Sequence, residues 1–264
     1  MKKAKLVVLL MLLILLKPIS ISVYADQDSP IDELDTLSDE ALQLVKSERY
    51  DDAKKILDYF SNQFSIVKQQ QRTFTMDELQ ILTGARDEAV EVITSPSADT
   101  NERINSAIKF RLAVDAVSSG QQPLWTQMQE QVMASYREMK DAAINQNKVE
   151  YEAKLNSFLT LYQIINPSLK LDVTTAQFQK LNTLVDFLDT YRLQVFTKAE
   201  TKELDELEAE LEDVFNQVYE DEADPSLWWV IISTGSIIIL TLSYVGWRKY
   251  LGDKEEKRRR HKRP

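Results

Sequence analysis

Between Ile31 and Phe64 the apolar side chains return every three or four residues. Ile31, Leu34, Leu37, Ala41, Leu44 and Val45 fall on one helical face, and Tyr50, Ala53, Ile56, Leu57, Phe60 and Phe64 on the next. Ser29-Pro30 supplies a cap and a first turn for the earlier helix, where a missing N–H costs nothing. Thr75 with Glu78, and Asp99 with Glu102, have the spacing of capping boxes and predict helices reaching Ile93 and Val117. Ser95-Pro96 and Ser118-Ser119-Gly120 are the breaks between them. Pro123 opens a long helix through Trp125, Met128, Val132, Tyr136, Met139 and Ala143. Asn145-Gln146-Asn147 turns it into another that ends at Asn166-Pro167. Further helices over Thr175–Val195 and Thr201–Tyr219 bring the expected total to about eight.

Punctuation is sparse. Between Asp26 and Asp224 the only glycines are Gly84 and Gly120, and the only prolines are Pro30, Pro96, Pro123 and Pro167, which favours helices over the frequent turns of an all-β domain. The expected fold is all-α: an antiparallel helical bundle, plus one C-terminal transmembrane helix. Two segments look like tetratricopeptide hairpins, Ala41 through Glu48-Arg49-Tyr50-Asp51-Asp52-Ala53 to Phe60, and Ala142 through Tyr151 and Ala153 to Pro167. They lie roughly a hundred residues apart rather than at the 34-residue repeat, so a bundle describes the chain better than an array.

In the last of these helices Leu204, Leu207, Leu211, Val214 and Val218 follow alternating steps of three and four, a heptad seam. Glu203, Asp205, Glu206, Glu208, Glu210, Glu212 and Asp213 surround it with almost no basic residue. Parallel self-pairing would set like charges side by side, so the seam calls for a different neighbour. That neighbour is either the protein's own bundle or a basic partner docked on these five apolar residues. Self-association is left open.

The two ends differ from the middle. Met1-Lys2-Lys3-Ala4-Lys5 followed by the apolar run Leu6 to Leu16 and by Val23-Tyr24-Ala25 reads as an export signal over 1–25, cleaved after Ala25. Leu227 to Trp247 carries no charge and has Trp228 and Trp229 at one end and Tyr244 and Trp247 at the other. This predicts a spanning helix over 227–247 with interfacial aromatic anchors. Arg248 and Lys249 begin a basic tail over 248–264, and the positive-inside bias puts that tail in the cytoplasm. The domain over 26–224 is then extracytoplasmic and the protein a single-pass resident of the cell membrane.

Charge sharpens this picture. The whole chain is at −10, yet the first 25 residues hold four lysines and no acid, and the tail holds nine basic against three acidic residues. The middle therefore carries 19 basic and 39 acidic side chains. Such a surface repels phosphates, so nucleic acid is excluded as its partner. The membrane and a second protein are the expected partners.

Little catalytic chemistry is on offer. The chain has no cysteine, and its one histidine, His261, sits in the tail, so thiol nucleophiles, His-containing triads and HExxH metal sites are absent from the middle. No phosphate-binding or dinucleotide fingerprint occurs. No catalytic, cofactor-binding or metal-ligating residue is expected. The alternative is a carboxylate-dependent hydrolase acting on a cell-wall polymer, but among 39 acids no pair stands out. Tyr50, Tyr59, Phe60, Trp125, Tyr136, Phe158 and Tyr162 sit at helical spacing among aliphatic residues and are expected in the core.

The export signal, the hairpin Ser47-Glu48-Arg49-Tyr50-Asp51-Asp52-Ala53 and the terminal run Tyr244-Val245-Gly246-Trp247-Arg248-Lys249-Tyr250 resemble the sporulation protein YpjB family of endospore-forming bacilli. The resemblance covers the whole chain. It implies a role in endospore formation at a mother-cell or forespore membrane and supplies no catalytic motif. The expected function is that of a non-enzymatic, membrane-anchored protein of sporulation whose helical domain binds a protein or wall component.

Overall fold

In the computed structural model the described residues are 30–70, 74–118, 123–198, 201–220, 232–239, 241–245 and 249. They are mostly helical, and no strand occurs among them. The order is α1 Pro30–Lys46, α2 Tyr50–Gln70, α3 Met76–Thr94, α4 Thr100–Ser118, a 3₁₀ turn Leu124–Met128, α5 Gln129–Ile144, α6 Lys148–Asp172, α7 Thr175–Thr190, α8 Arg192–Lys198 and α9 Thr201–Glu220.

Local chemistry sets the ends of these helices. At Thr75 the backbone N–H donates to Glu78 Oε2 at 2.6 Å and Glu78 N–H donates back to Thr75 Oγ1 at 3.2 Å. Asp99 and Glu102 exchange the same pair at 2.9 and 2.8 Å. Thr174 and Gln177 form a third capping box. In each, two N–H groups that helix geometry leaves orphaned find acceptors.

The two hairpins, α1/α2 and α5/α6, turn in the same way. Glu48 has φ 57° and Gln146 has φ 54°, the left-handed region that closes a helix. Arg49 N–H reaches Leu44 O at 2.9 Å and Glu48 N–H reaches Val45 O at 2.9 Å; Asn147 and Gln146 repeat this onto Ala142 O and Ala143 O at 3.0 and 3.1 Å. This paired 6→1 and 5→2 pattern satisfies the terminal carbonyls without a glycine.

Two apolar clusters form the core. One joins α1 to α4 around Leu34, Val45, Leu57, Phe60, Leu82, Ile93 and Phe110, with Phe60 and Phe110 edge to face at 4.9 Å. The other joins α5, α6, α7 and α9 around Trp125, Tyr136, Phe158, Leu181, Leu207 and Phe215. Helix α4 lies between them: Phe110 and Ala113 belong to the first cluster, Leu112 to the second, and Ile108 packs against both. It contacts α1, α3 and α6.

A charged network marks this junction. Arg111, with only 13% of its side chain exposed, donates from both terminal nitrogens to Asp35 at 2.7 and 3.1 Å. Asp35 also accepts from Ser118 Oγ at 3.1 Å. One turn on, Asp115 accepts the Leu124 N–H at 2.7 Å, while fully buried Trp125 donates its Nε1–H to Asp172 at 2.7 Å. Desolvation pushes the Asp172 carboxyl up to about 6, against the Trp125 hydrogen bond and with help from nearby Asp115. The residue as a whole is exposed, so water screens part of that displacement.

Several expectations need correction. The C-terminal transmembrane helix over 227–247 is not found: among the described residues no helix is long and apolar enough to cross a membrane. Helical positions there cover 232–239 and 241–245. The expectation rested on the absence of charge and on the flanking aromatic residues, which by themselves do not fix how long a helix forms. Helix α6 does not end at Asn166-Pro167 but continues through Pro167 to Asp172. The helix expected at Pro123 begins as a 3₁₀ turn, and the one expected over Thr175–Val195 is divided at Tyr191 into α7 and α8. The export signal over 1–25 and the basic tail, apart from Lys249, lie outside the described residues.

Candidate functional site

The acidic last helix meets its basic neighbours inside the same chain. Leu204, Leu207, Leu211 and Val214 are buried, and with Phe215 they join the cluster formed by α5, α6 and α7. Val218 lies in the same helix, with its side chain outside the described residues. Around the seam, Lys140 Nζ stands 2.6 Å from both Asp205 and Glu208, Arg137 reaches Glu208 and Glu212 at 3.2 and 2.9 Å, and Lys180 reaches Glu210 at 2.5 Å. The Lys140 hydrogen bond holds the Glu208 carboxyl below its ordinary range, against desolvation and with Arg137 adding to it. Tyr136 Oη donates to Leu204 O at 2.5 Å from within the core. In this fold the seam is an internal packing face, and those four residues are covered by their own bundle.

Of the membrane-interface residues, Tyr244 and Lys249 are exposed at helical positions, whereas Trp228, Trp229, Trp247 and Arg248 lie outside the described residues. Among the aromatic set, Phe60, Trp125, Tyr136, Phe158 and Tyr162 are buried as expected. Tyr59 is instead exposed and accepts from Gln63 Nε2 at 2.6 Å.

A half-open groove crosses the face made by α3, α4, α6 and α7. It consists of two basins of about 440 and 310 Å³ that share Lys109 and Gln163 at their waist. Glu88, Glu91 and Glu102 line the first basin, and Asp186 and Asp189 the second. The one lysine on the walls, Lys109, is engaged by Glu88 at 2.7 Å. Asp189 is held by Arg192, and Glu102 serves the α4 capping box. Glu91 and Asp186 carry no ion pair among the described residues.

Carboxamides are set along the floor. Asn182 Oδ1 accepts from Tyr162 Oη at 2.6 Å and from Asn166 Nδ2 at 2.8 Å, which fixes the Asn182 side chain beside Asp186. Pro167 also lines this basin. Because proline has no N–H, the i→i−4 bond from position 167 to the Gln163 carbonyl cannot form. No group of three or more metal-ligating side chains is found among the described residues.

Sequence reasoning did not foresee this groove. Its walls come from four helices, and no local spacing brings Glu91, Lys109, Gln163 and Asp186 together. The one available signal was Pro167 within an otherwise apolar-periodic segment.

The described residues form an all-helical bundle with an acidic groove on one face. Comparison with known proteins places the chain in the sporulation protein YpjB family: the family model described as Sporulation protein YpjB matches residues 31–259. The chain is also similar to the uncharacterized protein YpjB of Bacillus subtilis (strain 168), 33% identical over 239 residues that cover 89% of this chain and 90% of that one. No solved structure matches.

Proposed function

We propose that the chain supports endospore formation as a non-enzymatic interaction protein, exported by its first 25 residues, whose helical body binds another protein. The groove over α3, α4, α6 and α7 carries this reading. It draws side chains from four helices that pack on the buried core, and two adjoining basins suit a chain segment better than a compact substrate. The acidic surface argues against nucleic acid as the ligand.

The test is genetic and quantitative. Deleting the gene in its native endospore-forming host should lower the yield of heat-resistant spores, and re-expression of the wild-type chain should restore it. A deletion strain that sporulates at the wild-type yield contradicts the proposal. Terminal sequencing of the mature protein should begin at Asp26; Met1 retained throughout would remove the export part.

A further inference from the structure

We infer that the groove takes an extended, lysine- or arginine-bearing segment of a partner polypeptide. This deepens the proposed function and rests on it for the site. Three observations carry it.

The first is shape: two half-open basins that share Lys109 and Gln163 in their walls adjoin as one trough, which offers neighbouring side chains of a bound segment separate places to enter. The second is charge. Five carboxylates line the trough against a single lysine, which Glu88 already engages, so an incoming cation finds Glu91 in one basin and Asp186 in the other without an internal competitor among the described residues. An anionic segment would meet repulsion at both.

The third is backbone chemistry at the waist. Pro167 deprives the Gln163 carbonyl of its regular helical donor. An acceptor without its helical partner, between two acidic basins, suits a peptide N–H or an ammonium group. A ligand donor at Gln163 would replace the hydrogen bond that the proline removes from the helix.

The experiment uses the full-length chain and a fluorescein-labelled twelve-residue peptide of alternating lysine and alanine, followed by fluorescence anisotropy at low and moderate salt. A glutamate–alanine peptide of the same length is the control ligand. Three variants separate the groove from general surface charge. The first combines Glu91→Gln, Glu102→Gln and Asp186→Asn; glutamine at 102 still completes a capping box. The second removes the same number of charges from exposed positions off the groove, as Glu40→Gln, Glu130→Gln and Asp141→Asn. The third is Pro167→Ala, which returns an N–H to the Gln163 carbonyl.

The inference expects the lysine peptide to bind and the glutamate peptide not to. The groove triple should weaken binding about threefold to a hundredfold, the combined loss of three partly exposed charge pairs, and the off-groove triple less than about twofold. Pro167→Ala should weaken binding about threefold to tenfold, the worth of one hydrogen bond, while raising the unfolding midpoint of the protein. A merely structural proline would change stability alone. Equal losses in the two triples, binding of the glutamate peptide, or an unchanged affinity in Pro167→Ala would each overturn the inference. So would no binding of the lysine peptide, which leaves the sporulation role standing and removes only this ligand chemistry.

Discussion

Replacing Leu207 by alanine tests whether α9 belongs to the core of the bundle. Leu207 is fully buried in the cluster with Leu181, Leu204, Leu211 and Phe215. Removing its outer carbons forfeits about 2 kcal/mol of transfer free energy. A residual void adds up to about 2 kcal/mol more, depending on how far the neighbours relax. Relaxation is restricted here: Tyr136 Oη holds Leu204 O, and Lys140 and Arg137 bridge to Asp205, Glu208 and Glu212. We therefore expect a loss of about 3–4 kcal/mol, and a midpoint lowered by roughly 2–4 °C for each kcal/mol in a chain of this size. Urea unfolding followed by far-ultraviolet circular dichroism on the purified chain measures it. Glu206→Ala, one position away on the exposed face, should stay within about 0.5 kcal/mol. A Leu207→Ala cost below about 1 kcal/mol, or equal to that of Glu206→Ala, would refute the packing of α9 on α5 and α7.

Other outcomes follow from the same structure. Glu48→Gly should stabilise by about 0.5–1 kcal/mol, because glycine accepts the left-handed conformation without penalty; Gln146→Gly should gain less, since the Gln146 amide donates to Ala143 O and Phe196 O at 3.1 and 3.2 Å. Equal gains in urea unfolding would show those two bonds to be inert. Arg111→Ala should cost about 2–4 kcal/mol by leaving Asp35 without its two-pronged partner, and a cost near zero in thermal unfolding would mean that the network does not join α1 to α4. The Asp172 carboxyl lies above its unfolded value of about 3.9, so its contribution to stability is full below pH ~4 and is lost as pH rises through about 6. Asp172→Asn keeps an acceptor for Trp125 and does not ionise. The variant should gain on the wild type between pH 4 and pH 7, and a difference in unfolding free energy that is flat across that range would contradict the assignment.

Much of the helical framework was legible because its signals are local. Thr75–Glu78 and Asp99–Glu102 announce helix starts within four residues, and the 3.6-residue period of the α1 and α2 faces needs no tertiary information. Pro167 misled for the opposite reason. Its intrinsic preference ends a helix, but Ser168 and Leu169 just beyond it are buried in the core, and continuing the helix gains that packing at the loss of one hydrogen bond. The acidic surround of α9 was visible; its counter-charges were not, because Arg137, Lys140 and Lys180 lie far away in sequence and are brought in by folding. The groove required four helices to be placed before any of its carboxylates could be grouped.

The most direct test of the account counts heat-resistant spores in cells whose only copy carries Glu91→Lys with Asp186→Lys, at an abundance matched to the wild-type protein. Both positions are exposed, so the bundle should fold, while the sign of charge in both basins is reversed. The account predicts a spore yield close to that of the deletion strain. A wild-type yield from this variant, in a host where deletion is defective, would contradict the claim that the groove is where this protein acts.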